Sequence, residues 1–529
     1  MKNKLIYFII SIFVLGSYPN AKAQELVTIQ ANQQLDTATK FMQGFLHGNP
    51  ASSDSVSTAK LKPAFWRIGI YWFDGANYDE AKKFNPKISL VLNDLYKKVN
   101  NIYPDTLSKQ WINNWYSWDS LVTALVNNSV TFNKPVDYWD VWAEPDNWWT
   151  GTSDQFFEMY RRTDSIIRSV LPNAKIVGPD LASFNLPIIL AFIDFLNIRN
   201  VHLNAISWHE FFYPENITVN VQQMRDSLAV RPWAGNPEIH IPEYAGFTAS
   251  HLIPGWNVGW IYYLEKAKVN WASHGCWNES DGTIFWSDCA FGLNGLFMSD
   301  NVTPQPNYWV HRAYAELDTI RLVTTNSQTR TVSLAGKNDV TQEMKIIVGR
   351  YDNPNLGSHN ASANVEIKIR NYPYGTNSTQ PLVIQRIPSN NVPYSIPLLA
   401  PLTTFSGTVT FTGDSASIFI NGFVDGDAYI IYINPASGSV FAAIEQLDKL
   451  DVKIYPNPAS SILHIRLSNT SNSIVHINIV NILGQELISK QIQSGENSID
   501  VSTLPNGIYF VRATTGKQTT YNQKIIITK

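Results

Sequence analysis

Residues 138–146 read YWDVWAEPD, an apolar and aromatic run that leads into Glu144 and breaks at Pro145. Proline fixes φ and has no N–H to donate, so it cannot extend a parallel sheet. The run therefore predicts a buried strand with Glu144 at its carboxyl end. A second stretch, EIHIPEY at residues 238–244, alternates into Glu243 in the same way. If both strands belong to one parallel barrel, their carboxylates meet at its C-terminal mouth, where such barrels carry their active sites.

The surrounding sequence supports such a barrel. Strand-like runs alternate with helix-like segments from about residue 37 to residue 317, which is typical of βαβ units and a parallel sheet. Helical periodicity is clearest in Ser153–Leu171, and Gly259–Trp271 is another expected helix. The candidate strands fit a closed (β/α)8 TIM barrel. They are Phe41–Leu46, Ala64–Tyr71, Ile88–Leu92, Tyr138–Ala143, Lys175–Gly178, Ala205–Trp208, Ile239–Pro242 and Thr283–Trp286.

The helical pattern ends near residue 321, and short alternating strands separated by Gly, Pro and Asn turns follow. This change predicts a multidomain protein, with an antiparallel β-sandwich over residues 321–438 and a linker over 439–451. The catalytic barrel is expected over residues 24–320. Residues 24–36 are also open to assignment as a strand of the sandwich.

The N-terminus has the pattern of an export signal. Lys2 and Lys4 precede an apolar run, Leu5–Gly16, and residues 21–23 read AKA, a small-residue cleavage site. The run is too short to span a bilayer. It predicts a signal peptide over residues 1–23, and no later run reaches the roughly 18 apolar residues of a membrane helix.

Composition excludes one class of partner and favours another. The 529 residues carry a net charge of −3, so no basic field attracts a nucleic-acid backbone. Aromatic residues make up 12% of the chain and include 17 Trp, whose faces can stack on sugars, although large aromatic cores explain part of this excess. Cys276 and Cys289 are the only cysteines, and both a disulfide and two buried thiols remain open.

Two carboxylates at strand ends suit hydrolysis of a glycosidic bond, because the leaving oxygen needs a proton and the anomeric carbon needs a nucleophile. A separation of roughly 5–5.5 Å would predict retention of configuration, and a wider separation would predict inversion. Glu210, which follows the sixth expected strand, is the main rival carboxylate.

Several ordered motifs resemble a clan A glycoside hydrolase, in particular glycoside hydrolase family 39. The motifs are WRIG at 66–69, WDVWAEPD at 139–146, FFEMY at 156–160, LPNAKIVGPD at 171–180, ISWH at 206–209 and PEY at 242–244. The resemblance covers about Ala64 to Leu317. It implies a (β/α)8 barrel followed by a β-sandwich, with Glu144 as the acid/base and Glu243 as the nucleophile.

Physical reasoning predicts the same division of roles. Arg67, near the end of the second strand, is expected to bond Glu243 and keep its pKa low. Trp142 and Trp148 flank Glu144, so partial desolvation is expected to raise the pKa of Glu144 and keep it protonated near neutral pH.

Further residues are candidate substrate contacts beside Arg67. His209 ends the sixth strand, although a lone histidine is more often structural. Trp286, on the expected eighth strand, would form the floor of the sugar subsite, with barrel packing as its alternative role. The remaining candidates for the subsite are Tyr244, Trp148 and Asp146.

One position departs from the clan A pattern. The residue before the acid/base is usually Asn, whose amide bonds the sugar 2-hydroxyl, whereas this chain has Ala143. Bonds to that hydroxyl strengthen in the transition state. The change predicts a substrate that is substituted or differently oriented at position 2, another residue in the role of the amide, or a non-catalytic descendant.

The segment Val452–Lys529 reads as a small all-β domain and resembles the type A C-terminal sorting domain of the type IX secretion system. The resemblance rests on VKIYPNP at 452–458, NILGQ at 481–485, LPNGIYFV at 504–511 and the final strand. It implies a Bacteroidota-type bacterium, passage across the outer membrane, and release or surface attachment through the type IX secretion machinery.

Together these patterns predict a secreted, retaining β-glycoside hydrolase that acts on a plant or algal polysaccharide or its oligosaccharides. The alternative is a surface glycan-binding protein on a degenerate barrel. No phosphate-binding loop, zinc helix or paired Cys-x-x-Cys set is present, so no cofactor and no metal are expected.

Deletion of Val452–Lys529 is expected to leave glycosidase activity intact and to trap the protein in the periplasm. Fractionation of cells that express the truncated chain, with activity assayed in each fraction, measures both effects. Normal release of the truncated protein would contradict the sorting-domain assignment.

Overall fold

The structure is a computed structural model that describes residues 24–35, 42–46, 55–69, 76–92, 115–245, 252–275, 292–298, 302–318, 320–351, 361–389, 397–442, 451–468, 475–481, 486–493, 495–515 and 518–529. The expected signal peptide, both cysteines and Trp286 lie outside these residues.

Eight parallel strands close into a barrel, and each pairs with its neighbours in chain order. The strand β1 (Glu25–Gln34) precedes them. The barrel strands are β2 (Gly44–Leu46), β3 (Phe65–Gly69), β4 (Lys87–Val91), β5 (Tyr138–Asp140), β6 (Lys175–Leu181), β7 (Ala205–Trp208), β8 (Glu238–Tyr244) and β9 (Trp271–His274). The predicted (β/α)8 barrel is therefore confirmed.

The eighth strand is not the predicted one. It is β9, which pairs with β8 and closes the barrel where Phe45 of β2 faces His274. The predicted strand Thr283–Trp286 lies outside the described residues. The predicted helix Gly259–Trp271 was wrong at its end, because the helix stops at Lys266 and the chain turns into β9. Four residues give too short a period-2 pattern to stand out against a preceding apolar helix.

Helices surround the barrel and connect its strands. They are α1 (Ser55–Lys60), α2 (Ala76–Lys82), α3 (Trp115–Thr131), α4 (Pro145–Trp148), α5 (Ser153–Val170), α6 (Leu186–Ile198), α7 (Asn216–Ala229), α8 (Pro254–Lys266), α9 (Gly292–Gly295) and α10 (Pro306–Ala315), with a 3-10 turn at Pro232–Ala234. A capping box begins α5, since Thr152 and Gln155 exchange side-chain and backbone hydrogen bonds. Within the described parts of the chain, no helix is both long and apolar enough to span a membrane.

A second sheet of nine strands contains β1 and the strands that follow the barrel. These are β10 (Ile320–Asn326), β11 (Thr331–Asn338), β12 (Glu343–Arg350), β13 (Ser362–Arg370), β14 (Thr379–Ile387), β15 (Leu402–Thr410), β16 (Ala416–Val424) and β17 (Ala428–Ile433). β1 pairs parallel with β13 and antiparallel with β10, and the other pairings are antiparallel. Apolar side chains from both halves of the sheet form one core.

Helix α8 packs directly on this sheet. Gly255 donates its N–H to the carbonyl of Gly426 at 2.7 Å, and a Cβ at Gly255 would lie 2.1 Å from the Arg350 carbonyl oxygen. Only glycine permits such an approach of two backbones.

The C-terminal unit, residues 443–529, has its own apolar core. A three-stranded sheet contains β18 (Asp451–Tyr455), β19 (Ile462–Ser468) and β22 (Gly495–Asp500). A four-stranded sheet contains β20 (Val475–Asn481), β21 (Glu486–Ile492), β23 (Gly507–Thr515) and β24 (Gln518–Ile527). Both sheets are antiparallel, as the all-β pattern predicted.

Substitution Gly44→Ala is expected to destabilise the barrel where it closes, because the added Cβ would lie 1.9 Å from the backbone oxygen of Ala272 on β9. Overpacking of this kind costs about 1–3 kcal/mol of unfolding free energy. Urea unfolding measures the change, with Ile198→Ala as a surface control. An unchanged midpoint for Gly44→Ala would contradict the described closure between β2 and β9.

Candidate active site

Glu144 and Glu243 meet at the C-terminal mouth of the barrel. Glu144 follows β5 by four residues and precedes α4, and Glu243 lies near the end of β8. An oxygen of one carboxylate lies within 4.8 Å of an oxygen of the other. Glu144 adopts a left-handed backbone conformation with φ of 52°, and its N–H donates to the carbonyl of Asp180 at 2.9 Å. Such conformations in non-glycine residues cluster at functional sites.

Arg67 binds three carboxylates from three different strands. Its Nη1 donates to Glu243 at 2.6 Å, its Nη2 to Asp180 at 2.5 Å and its Nε to Asp140 at 3.0 Å. The guanidinium is buried, with 2% of its side chain exposed. These charge-assisted bonds fix the carboxylate of Glu243 in place. The predicted bond from Arg67 to Glu243 is present, but the low pKa predicted with it is not.

His209 follows β7 and lies between the two glutamates. Its Nδ1 is 3.0 Å from Glu144 Oε1 and 3.7 Å from Glu243 Oε2, and its Nε2 is 3.3 Å from Asp180 Oδ1. The imidazole side chain is 0% exposed. Burial lowers the pKa of His209, but the charges of Glu243 and Asp180 and the contacts with Asp180 and Glu144 raise it well above its usual value. The carboxylates around His209 therefore favour its imidazolium form.

The expected pKa values of the two glutamates are wrong for the free protein. Burial raises the pKa of Glu144, but the bonds from His209, Trp148 and Asn147 outweigh burial and lower it to about 2. Burial raises the pKa of Glu243, and the charges of His209 and Arg67 offset this only in part. The desolvation predicted for Glu144 is present, yet the cation beside it has the larger effect.

Asp140 lies among the carboxylates beneath the mouth, where its ionised form is disfavoured. It is fully buried in β5, and burial together with the charge of Asp180 raises its pKa well above the usual value despite the bond to Arg67. Two buried carboxylates that share one guanidinium do not both ionise easily.

Among the other residues predicted to contact the substrate, Trp148 and Asp146 are exposed and Tyr244 is buried. Trp148 is 41% exposed and donates its indole N–H to Glu144 Oε2 at 3.0 Å. Asp146 is exposed and accepts a bond from the N–H of Ala182. Tyr244 is fully buried, and its hydroxyl donates to the carbonyl of Met42, so it presents no surface to a substrate.

The rival carboxylate Glu210 is directed away from the pair. It accepts bonds from the indole of Trp208 at 2.7 Å and from Asn220 of α7 at 2.8 Å. Burial raises the pKa of Glu210 to about 7, and these two bonds lower it only in part.

Ala143 forms a small apolar cluster with Val91 at the end of β4. The two residues are 6% and 4% exposed. A buried apolar contact therefore lies at the position where the clan A pattern has an amide.

Three site residues were missed by the sequence analysis, namely Asp140, Asp180 and Asn147. A charged residue inside an apolar strand, such as Asp140, signals a buried partner, and Arg67 in the run FWRIG gave the matching signal. Asp180 gave the same kind of signal directly after an apolar strand. Asn147 is exposed and had no distinguishing pattern.

The same cluster has the spacing of a metal site. One atom each of Glu144, His209 and Glu243 lies within 4.8 Å of the others. A metal ion would bind there only in place of the proton on His209 Nδ1, because the coordinating nitrogen of a histidine ligand must be deprotonated.

A closed (β/α)8 barrel with two adjacent carboxylates at its mouth is an arrangement that glycoside hydrolases use. Residues 107–232 match the family model of glycosyl hydrolases family 39, and residues 453–528 match the secretion system C-terminal sorting domain. The protein is a glycoside hydrolase that is secreted through the type IX system, so its partners are a carbohydrate substrate and the secretion machinery. No curated protein matches the chain.

Solved structures share the fold at low sequence identity. N2152 from Neocallimastix frontalis is 19% identical with a TM-score of 0.66, and covers 78% of this chain and 100% of its own. The GH39 enzyme from Xanthomonas axonopodis pv. citri is 13% identical with a TM-score of 0.57, over 80% of this chain and 100% of its own. A monomeric beta-xylosidase from Caulobacter crescentus CB15 is 13% identical with a TM-score of 0.56, over 78% and 100%.

The pKa of Glu144 predicts a dependence of stability on pH. Its folded value of about 2 lies below the ordinary value of 4.5, so ionised Glu144 stabilises the fold fully above about pH 4.5. This contribution is lost as the pH falls toward 2. Glu144→Gln should therefore flatten the fall in unfolding free energy between pH 5 and pH 3, measured by urea unfolding. An identical slope in both proteins would show that Glu144 has an ordinary pKa.

Proposed function

We propose that the protein is a retaining β-glycoside hydrolase in which Glu243 is the nucleophile and Glu144 is the acid/base. The observation that carries this proposal is the approach of the two carboxylates to within 4.8 Å. Retaining enzymes have carboxyl groups roughly 5–5.5 Å apart, whereas inverting enzymes need about 6.5–9.5 Å to admit a water.

The contacts of each carboxylate support its role. Glu243 bonds Arg67 through Oε1, which leaves Oε2 for attack on the anomeric carbon, and 16% of its side chain is exposed at the mouth. Glu144 lies against the exposed Trp148, beside the position of the leaving group. Attack by Glu243 forms a glycosyl-enzyme ester while the leaving oxygen takes a proton from Glu144. Water then cleaves the ester as Glu144 takes a proton back.

The substrate proposal follows from the surface of the mouth. Secretion brings the enzyme to polymeric glycans outside the cell, and exposed aromatic side chains such as Trp148 and Phe212 offer faces for sugar rings. Ala143 packs on Val91 at the position where the clan A pattern has an amide. We therefore propose a plant or algal polysaccharide, or its oligosaccharides, with a sugar that is substituted or differently oriented at position 2.

A panel of glycans tests the reaction and the substrate together. The mature enzyme is incubated with xylans, sulfated galactans and other plant and algal polysaccharides, and early products are identified by mass and by anomeric NMR. The expected product keeps the configuration of the cleaved bond. An inverted first product would contradict the mechanism, and tight binding without any product would contradict catalysis.

Variants of the carboxylates test their roles. Glu243→Ala is expected to abolish turnover, and Glu144→Ala to slow hydrolysis of the natural glycan by roughly 10²–10⁴-fold. Glu210→Gln is the matched control, because this buried carboxylate faces Trp208 and Asn220 instead of the pair. Loss of turnover in Glu210→Gln with retention in Glu243→Ala would assign the nucleophile to Glu210.

A further inference from the structure

Glu144 is held by contacts that disfavour the proton it needs as the catalytic acid. Glu144 must give a proton to the leaving oxygen, yet its bonds to His209, Trp148 and Asn147 favour the ionised form. The proton must therefore be held nearby until it is needed. The nearest titratable contact of Glu144 among the described residues is His209 Nδ1, at 3.0 Å.

We propose that His209 stores the proton that Glu144 delivers to the glycosidic oxygen, and that Asp180 is the positioning residue that holds His209 in its protonated form. This proposal rests on the proposed function of Glu144 as the acid/base. It assigns two further residues, His209 and Asp180, to the supply of the proton.

Asp180 contacts His209 on the side of the ring that faces away from the two glutamates. Asp180 Oδ1 and His209 Nε2 are 3.3 Å apart, and both side chains are 0% exposed. Within the described parts of the chain, neither atom makes a hydrogen bond, so their approach is an ion-pair contact without hydrogen-bond geometry. A buried polar atom without a hydrogen bond is costly, and the attraction between a carboxylate and an imidazolium offsets part of that cost. The short distance from the carboxylate oxygen favours a proton on Nε2, and Nδ1 faces the two glutamates.

The backbone at Asp180 and Leu181 also holds Glu144 and His209 in position. Its carbonyl accepts the N–H of Glu144, and the N–H of His209 donates to the neighbouring Leu181 carbonyl at 2.8 Å. Asp180 has a left-handed φ of 58°, a conformation that Asp and Asn adopt more readily than other non-glycine residues. Its Oδ2 accepts from Arg67 Nη2, which fixes the carboxylate. Asp180 therefore positions both members of the proton-sharing pair.

Carboxylates surround the imidazole of His209. Glu144 and Glu243 face Nδ1 from β5 and β8, and Asp180 faces Nε2 from β6. Asp140 and Arg67 lie behind Asp180 and bond each other. The aromatic ring of Phe211 covers a further side of the imidazole at 5.4 Å. Three carboxylates thus contact one imidazole, which favours its cationic form.

The proton balance of the cycle is closed. During glycosylation, the bond from the anomeric carbon to Glu243 forms and the bond to the leaving oxygen breaks. A proton moves from His209 Nδ1 to Glu144 and from Glu144 to that oxygen. During deglycosylation, water gives one proton to Glu144, which returns it to Nδ1. The remaining hydroxide forms the new bond to the anomeric carbon as the bond to Glu243 breaks, and its electron pair returns to the Glu243 carboxylate.

The first test observes the ring without any substrate. Protein labelled with ¹⁵N-histidine is titrated by NMR, and the His209 signals are assigned by their loss in His209→Gln. Both ring nitrogens of His209 are expected to be protonated at pH 7. In Asp180→Asn, whose side chain tolerates the left-handed conformation, His209 is expected to lose its second proton at least about one pH unit lower. A neutral His209 in the wild type, or an unchanged titration in Asp180→Asn, would overturn the proposal.

The second test uses the leaving group. A dinitrophenyl glycoside of the sugar that the glycan panel identifies needs no acid, whereas the natural glycan does. Asp180→Asn and His209→Gln are expected to slow hydrolysis of the glycan by at least about tenfold and that of the dinitrophenyl glycoside much less. Equal losses on both substrates, or no loss, would overturn the proposal. Glu210→Gln, which removes a nearby buried carboxylate that bonds Trp208 and Asn220, is expected to show no such difference.

These tests separate the two proposals. If the wild type cleaves no glycan in the panel, the proposed function fails, and the NMR titration still reports whether Asp180 holds His209 as a cation. If glycans are cleaved but the leaving-group difference is absent, only the stored proton is contradicted. If Asp180→Asn does not fold, the wild-type titration and His209→Gln still decide the outcome.

Discussion

The buried guanidinium of Arg67 is the interaction on which the rest of the site depends. A buried arginine is tolerated only when its charge and its N–H groups are satisfied, and here three carboxylates from β5, β6 and β8 satisfy them. Because these bonds join four strands of the barrel, they fix the upper end of the barrel as one unit. The position of Glu243 is a consequence of this requirement, since its carboxylate is one of the three.

A second cation completes the arrangement. Asp180 and Glu243 each contact both Arg67 and His209, so two cations and two carboxylates alternate around the centre of the barrel. Asp180 forms the buried side of this group and Glu243 the side that opens to the mouth. Glu144 is joined to the group by His209 and by its own strained backbone, which bonds Asp180. Glu144, Glu243, Asp180 and the two cations are therefore one connected network.

The sequence predicted the parts of this network that occupy strand ends. Glu144, Glu243, Arg67 and His209 were found because a polar residue that ends an apolar strand must face the mouth of a barrel. The eighth strand was missed because its four residues follow an apolar helix without a change of pattern. The role of Asp180 could not be predicted, because it depends on contacts with residues of β3 and β7 that are distant in sequence.

The pKa values of the glutamates were predicted in the wrong direction for a related reason. Local sequence showed the tryptophans around Glu144 and therefore its desolvation, but the opposing charge comes from His209, 65 residues away. Desolvation and a neighbouring cation shift a carboxyl pKa in opposite directions, and only the folded arrangement decides which effect is larger. The apolar pair of Ala143 and Val91 likewise became visible only when β4 and β5 were placed side by side.

Covalent trapping tests the central claim most directly, which is that Glu243 attacks the anomeric carbon while Arg67 and His209 hold it in place. The enzyme is treated with the activated 2-deoxy-2-fluoro derivative of its sugar, which forms a glycosyl-enzyme that turns over slowly, and the labelled peptide is sequenced by mass spectrometry. The account predicts one sugar attached to Glu243. A label on Glu144 or Glu210, or no label on an enzyme that this derivative inactivates, would contradict it.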